Sequence, residues 1–558
     1  METVEKPKFY RPIAGLSLGL NYYFGGTDVF GYHLVNFFIH LLASIFLFLF
    51  IYDTLKLPLL KGRYEKISFP LALLATLFWA ANPVQESSVT YIVQRMASMA
   101  GMFSIMAMYF YLKGRTSNNQ WARTNFFIFF VLSGIFAFGS KQNAAMLPAS
   151  IFFYDLFLLQ GSTNKNIRKS IRIIIIPLLL LSILAAKFMD FPSVFAEYAT
   201  RPFTMTERLL TESRVIIFYI GLLLYPAPTR LTFLHDIQIS KSLFDPWTTM
   251  LAIVGIILII AFTFIFSRKR PLISFSVLFF FLNHIIESSF LPLELIFEHR
   301  NYLPSMLIFV PLSIFFLKAI DYFSYKKSLQ FMMAFGIIFL LASSGYTTFT
   351  RNKVFKNEFL LWSDVIKKSP NLARPYFNLG RAFSKQWKIQ KAVLLFKKAL
   401  EIRPNYAGPY NSLGIVLGRQ GKFREAILHF SKAISINPYS ASPHHNMGMA
   451  YSKLGEMDKA IYHYSEALKI NPSDSDGYYK LGLAFARIGK FEKAIQNFNI
   501  VLRIKPEYLA AQNHLGIVLA QIGRKEEAIR QWKDILRNYP DFLQARRNLE
   551  RALTQEER

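Results

Sequence analysis

Residues 407–440 read AGPYNSLGIVLGRQGKFREAILHFSKAISINPYS, and residues 441–474 follow as ASPHHNMGMAYSKLGEMDKAIYHYSEALKINPSD. The two stretches share a register that runs well beyond them. Gly380, Gly414, Gly448, Gly482 and Gly516 stand 34 residues apart, as do Ala392, Ala426, Ala460, Ala494 and Ala528, and Pro404, Pro438, Pro472, Pro506 and Pro540. Each period holds two antiparallel helices. Glycine lets the first approach its neighbour closely, alanine does the same on the second, and proline ends the second. Neither helix buries its apolar face alone, so stacking of successive units makes the core.

A 34-residue period with Gly, Ala and Pro in phase is the tetratricopeptide (TPR) signature. Five repeats are expected over 373–542, beginning near Ala373, Ala407, Ala441, Ser475 and Leu509. A connector and capping helix at 351–372 precedes them, and a closing helix at 543–558 follows. Such an array presents a concave groove suited to peptides. Asn378, Asn411, Asn446 and Asn513 are the candidates for holding a ligand backbone there, with solvated or intra-repeat roles open for each.

Upstream of the repeats the chain changes character. The 558 residues are 53% hydrophobic, 56 of them Phe, which is too apolar for an ordinary soluble protein. Runs without Asp, Glu, Lys or Arg occur at 29–52, 67–85, 96–112, 124–140, 142–154, 173–186, 215–229, 247–267, 271–286, 301–317 and 328–350. A span needs about 20 mainly apolar residues, so 29–350 reads as a polytopic membrane domain with about ten crossings. The predicted fold class is therefore all-α: a polytopic helical membrane domain followed by a TPR α-solenoid. There is no cysteine, which excludes disulfides and Cys-ligated metals. His33 and His40 share a helix face, but no carboxylate joins them, so no metal site is expected. The formal charge of +29 comes with no nucleic-acid-binding motif. Part of it is topology charge.

Basic clusters fall at 56–66, 113–123, 165–172, 268–270 and 318–327. All five reach the cytoplasmic side if 215–229 does not cross, so that run is read as interfacial or re-entrant. The N-terminal loop 1–28 and the TPR array then share the non-cytoplasmic face, together with loops 83–95, the turn at Lys141, 188–246 and 287–300. Ionisable residues this close to spans are costly and often functional, while many others only cap helices at the interface; their clustering on one face favours function. The polar clusters there are Tyr10-Arg11-Pro12, Gly31-Tyr32-His33-Leu34-Val35-Asn36, Asn82-Pro83-Val84-Gln85-Glu86, Gln94-Arg95, Ser140-Lys141-Gln142-Asn143, Glu207-Arg208-Leu209-Leu210-Thr211, Glu287-Ser288-Ser289 and Glu298-His299-Arg300-Asn301-Tyr302-Leu303-Pro304.

These segments apart from Glu287-Ser288-Ser289, taken along almost the whole chain, resemble the transmembrane-and-TPR (TMTC-type) mannosyltransferase family. The resemblance implies a GT-C-like membrane domain that moves a hexose from a polyprenyl-phosphate donor to a polypeptide acceptor, without a further cofactor. It implies that Arg300, with Arg95 and Lys141, holds the donor phosphate, since a guanidinium suits that task. Glu298 and His299 would orient the arginine or the acceptor. The bland alternative for Arg300, an interfacial residue paired with Glu298, stays open. The expected location is an integral-membrane one, in a bacterial inner membrane with a periplasmic TPR array, since Gln555-Glu556-Glu557-Arg558 carries no retention signal.

The pattern also departs from the family. A GT-C enzyme takes its general base from acidic residues in the first outer loop, and this chain begins inside that loop. Glu2, Glu5 and Asp28 match no motif there. Gln142 stands where the family often has Glu, and an amide cannot ionise. Glu86 is the remaining candidate base. The expectation is thus either a longer, active protein or a non-catalytic TPR scaffold anchored in the membrane. A transporter fits less well, with no evident inverted repeat.

Overall fold

The computed structural model describes residues 11–60, 62–169, 195, 198 and 201–554. The apolar run at 173–186, the first ten residues of the N-terminal loop, and the last four of the closing helix lie outside them. The described residues are helical and form two units, Met1–Pro370 and Asn371–Arg558.

In the first unit α1 (Pro12–Gly25) and α2 (Val29–Leu55) lead into α3 (Ser68–Ala80), α4 (Arg95–Thr116), α5 (Gln120–Ser140) and α6 (Leu147–Tyr154). Then come α7 (Met205–Leu224), α8 (Thr248–Phe266), α9 (Pro271–His284), α10 (Phe309–Tyr322), α11 (Lys327–Val354) and α12 (Glu358–Lys368). Helices long and apolar enough to cross a membrane are Val29–Leu55, Gln120–Ser140, Thr248–Phe266, Pro304–Tyr325 and Lys327–Val354. The pair Glu65–Ala80 and Pro83–Val89, bent by 50°, makes a sixth if it is one broken span. Among the described residues that is fewer than the charge-free runs suggest, and the differences are local. The run 96–112 lies in α4, a 22-residue helix that mixes Gly and Ser among its apolar residues and buries many of them within the unit. Runs 142–154 and 271–286 fall on α6 and α9, only 8 and 14 residues long. Run 215–229 ends in a loop, and α7 carries Glu207, Arg208, Glu212 and Arg214 in its first half.

The core of this unit is aromatic and pinned by a few polar bonds. Trp79 is fully buried and its indole N–H donates to Ser305 Oγ at 3.1 Å. His40 Nδ1 meets the Tyr302 hydroxyl at 2.8 Å and its Nε2 meets the Ala80 carbonyl at 3.1 Å. His40 is thus committed to helix packing.

The second unit is an array of helix pairs. α13 (Ala373–Lys385) pairs with α14 (Ile389–Ile402), α15 (Ala407–Arg419) with α16 (Phe423–Ile436), and α17 (Ala441–Lys453) with α18 (Met457–Ile470). α19 (Ser475–Arg487) pairs with α20 (Phe491–Ile504) and α21 (Leu509–Gln521) with α22 (Lys525–Asn538), and α23 (Leu543–Thr554) closes the array. The in-phase glycine has a specific cause. A Cβ on Gly414 would stand 2.5 Å from the Phe430 ring, and one on Gly516 would stand 2.6 Å from Trp532. An aromatic residue of the second helix fills the space that each glycine leaves. Between paired helices, Gly421 takes φ +78°, and in the first repeat the equivalent place is held by Trp387 at φ +60°, an uncommon conformation for a bulky residue. The capping helix expected before the repeats is α12. It groups with the first unit, because Asp364, Lys368 and Ser369 bond to Arg351, Leu231 and Leu234 there.

Candidate functional site

Lys141 leaves the end of α5 in an extended conformation, which turns its side chain into the protein. Glu287 lies in the loop after α9, Arg300 in the 3-10 turn Glu298–Asn301, and Arg208 and Glu212 one turn apart on α7. The fold brings the five together in a buried cluster. The Lys141 ammonium donates to Glu287 Oε1, and Arg300 Nε stands 3.0 Å from Glu287 Oε2. Arg300 Nη1 is 3.9 Å from Glu212 Oε1, and Arg208 Nη2 is 2.8 Å from that same oxygen. Arg208 also staples the loop to α7. It donates to the carbonyls of Glu287 at 2.6 Å, Ser289 at 3.0 Å and Leu293 at 2.5 Å.

Three cations face two carboxylates here, so the cluster has a positive excess. The carboxylates differ sharply. Burial would raise Glu287, but Lys141 and Arg300 win and hold it at about 2. For Glu212 burial wins over Arg208 and Arg300 and lifts it to about 7. His299 is pushed well below its ordinary value, by burial first and then by Lys141, so its ring is neutral. Glu212 sets a pH dependence. Between the ordinary carboxyl value of 4.5 and about 7, the folded protein keeps a proton that the unfolded chain has released. Stability therefore falls as pH rises through that window. We expect Glu212→Gln to flatten the fall, read as melting temperature against pH in detergent.

A second cluster adjoins the first through the Glu298–Arg300 turn. Arg351, near the end of α11, places Nη1 3.0 Å from Asp364, and lies 3.9 Å from both Glu298 and Glu86. Glu298 Oε1 accepts from the Thr232 backbone at 2.7 Å and meets His235 Nε2 at 3.1 Å. Lys368 pairs with Asp364 at 2.6 Å. Glu86, Glu298 and Asp364 thus gather around Arg351 and Lys368. Both oxygens of buried Glu86 lack a hydrogen-bond partner of normal geometry among the described residues.

The sequence-derived candidates therefore fall into three places. Lys141 and Arg300 share Glu287. Glu86 and Glu298 share Arg351, so the Glu298 carboxylate faces His235 and Arg351 while the Arg300 guanidinium faces Glu287 and Glu212. His299 stacks on Phe297 with ring centroids 5.1 Å apart. Arg95 sits elsewhere. Its guanidinium donates to Asn36 Oδ1 at 2.6 Å, Asn21 Oδ1 at 2.5 Å, Ser17 at 3.1 Å and the Tyr32 carbonyl at 2.9 Å, which locks α1, α2 and α4 together. Sequence reasoning gave no role to Arg208, Glu212, Glu287 or Arg351. The signal available was their proximity to apolar runs, and only Glu287 stood in a cluster that drew notice by its carboxylate.

In the repeats, Asn446 donates to Asn411 Oδ1 at 3.0 Å, and Asn548 to Asn513 Oδ1 at 2.9 Å. The Tyr479 hydroxyl meets His514 at 3.3 Å with the same 35-residue offset. These side chains bond first helices of neighbouring repeats to one another. Asn378 is half-buried.

TPR and tetratricopeptide repeat models match residues 373–406, 395–427, 419–455, 450–489 and 479–541. Protein O-mannosyl-transferase F38B6.6 of Caenorhabditis elegans is 26% identical over 391 residues, which is 67% of this chain and 51% of that protein. Human protein O-mannosyl-transferase TMTC4 is 32% identical over 134 residues, 23% of this chain and 18% of the relative. The chain thus spans about half the length of the first relative and less of the second. Among solved structures, the TPR protein YrrB aligns with 34% of this chain and 97% of its own at 22% identity and a TM-score of 0.31. The chain combines membrane-type helices with a TPR array and is distantly related to protein O-mannosyl-transferases.

Proposed function

We propose that this protein is a GT-C-like membrane glycosyltransferase that moves a hexose from a polyprenyl-phosphate donor to a polypeptide held by the TPR array. The observation that carries this is the pair of adjoining buried ionic clusters, joined by one turn, of which the first sets three cations against two carboxylates. Burying so many ionised groups costs several kcal/mol each before pairing, and apolar packing alone would not retain them. Lys141 and Arg300 are placed to hold the donor phosphate and to offset the charge that grows on it as the sugar leaves. Glu86, buried 3.9 Å from Arg351, is the carboxylate we assign to take the acceptor's proton. An apolar groove of about 510 Å³, lined by Phe78, Asn82, Leu223, Phe309, Phe316 and Thr347, would take isoprenoid units; Thr347 lies one turn before Arg351 on α11. The array would raise the acceptor's concentration near the site. The distant relationship to protein O-mannosyl-transferases supports the reaction class.

The test is transfer of labelled hexose from polyprenyl-phosphate donors in proteoliposomes. Arg300→Lys keeps the charge beside Glu287 but loses the forked donor pair, so a loss of roughly 100-fold is expected. Unchanged transfer would sink the assignment of Arg300.

A second reading is a non-catalytic TPR scaffold in the membrane. It is favoured by the internal pairing of the Arg300 cluster, since Glu287 already engages both candidate phosphate ligands. Peptide binding by the array without transfer from any donor would select it.

A further inference from the structure

A groove on the outer side of α8 and α9 shares no residue with the clusters or with the groove beside Asn82. Leu258, Phe262 and Phe266 line one wall at successive turns of α8, and Ile273 and Val277 line the other on α9. Its volume is about 570 Å³. α9 is otherwise buried almost throughout, whereas α8 exposes Leu258 and Phe262. α8 is one of the candidate spans, so the groove opens toward lipid.

One end of this groove is basic. Residues 267–270 connect the helices, and Arg270 lines the groove itself. Arg63 Nη1 donates to the Lys269 carbonyl at 2.7 Å, and Arg268 Nε to the Ser162 carbonyl at 2.7 Å. Arg268 also bonds the Asn164 side chain. These bonds fix the connection but neutralise nothing. Among the described residues, none of Arg63, Arg268, Lys269 and Arg270 makes an ion pair, and the Arg270 guanidinium makes no hydrogen bond. Arg270 in the wall of a lipid-facing apolar groove, with Arg63, Arg268 and Lys269 on or bonded to the same connection, is complementary to a molecule with an anionic head and a hydrocarbon tail.

We propose that the α8/α9 groove binds one anionic phospholipid, with its phosphate at Arg270 and an acyl chain along Phe262, Phe266, Ile273 and Val277. The tail gains little over bulk lipid, since lipid tails are as apolar as the groove wall. Discrimination therefore resides in the head, where the basic collar attracts net negative charge and disfavours a choline ammonium. The positive-inside rule assigns this end of the helices to the cytoplasmic leaflet, where anionic lipids contribute a negative surface potential.

The test is native mass spectrometry of the full-length protein offered equimolar phosphatidylglycerol and phosphatidylcholine. The wild type should retain one phosphatidylglycerol in preference. Arg270→Ala should cut that enrichment roughly fivefold, the effect of one interfacial cation, while total bound lipid stays the same. Val277→Trp should fill the groove and abolish the adduct. Both variants must melt with the wild type; if Val277→Trp does not, Phe262→Trp serves in its place. Equal retention of the two lipids by wild type, or unchanged enrichment in Arg270→Ala, overturns the proposal. So does a dimer that Val277→Trp dissociates, which would make a second copy the occupant.

Discussion

Glu287→Ala is expected to destabilise the first unit by about 3–5 kcal/mol, the usual consequence of removing one partner from a buried charge cluster. Glu287 is the carboxylate shared by Lys141 and Arg300, and all three side chains are less than a tenth exposed. Without it, Lys141 loses its ion-pair partner and Arg300 keeps the Leu295 carbonyl at 3.1 Å and, as a carboxylate, Glu212 at 3.9 Å. Water cannot substitute cheaply at such a depth. Glu287→Gln keeps the volume and an acceptor oxygen and should lose less. The acid limb gives an independent check. Because Glu287 is held at about 2 against an ordinary 4.5, its contribution is fully present above about 4.5 and disappears as pH falls through about 2. Thermal unfolding in detergent reads both effects. A Glu287→Ala variant that melts with the wild type would mean the cluster is hydrated and open.

Phe498→Ala should be equally damaging in the second unit, at about 3–5 kcal/mol for a large buried aromatic. Phe498 is fully buried and stands 2.7 Å from where a Gly482 Cβ would be. It also touches Tyr479 and His514, with centroids 6.0 and 6.3 Å away, so it joins its own repeat to the next. A solenoid is stabilised by such nearest-neighbour interfaces. Amide exchange in the full-length protein should therefore accelerate across 475–538 and much less across 373–419. The mirror change, Gly482→Ala, should cost about 1–3 kcal/mol by overpacking the same contact. Uniform exchange changes along the array would contradict nearest-neighbour stacking.

Glu212 and Arg95 show where legibility stopped. Arg95 belongs to a motif of the right kind in a loop of the right kind, and from sequence it stands beside Arg300 and Lys141 as a phosphate ligand. In the fold it is a latch, because Ser17, Asn21, Tyr32 and Asn36 supply acceptors that no local pattern announces. Glu212 lies in a helix that reads as the polar start of an apolar run, and its proximity to Arg300 depends on the docking of the 287–300 loop onto α7 by Arg208. The asparagines are a finer case. Asn411 and Asn513 stand fifth in their repeats and Asn446 and Asn548 sixth in theirs, so the bonded pairs are 35 rather than 34 residues apart. That positions five and six of neighbouring first helices meet is visible only in the packed array.

The sequence by itself determined the helical array. A TPR contact is made between segments about 16 or 34 residues apart, and each repeat restates the same glycine, aromatic and proline. It also determined that the first two-thirds holds apolar helices long enough to span, since hydropathy is a property of each segment alone. Tertiary structure decided which charges meet. Lys141, Glu212 and the Glu287–Arg300 loop come from three distant segments, and the free energy of an ion pair depends on distance and local dielectric, neither of which exists until those segments are buried together.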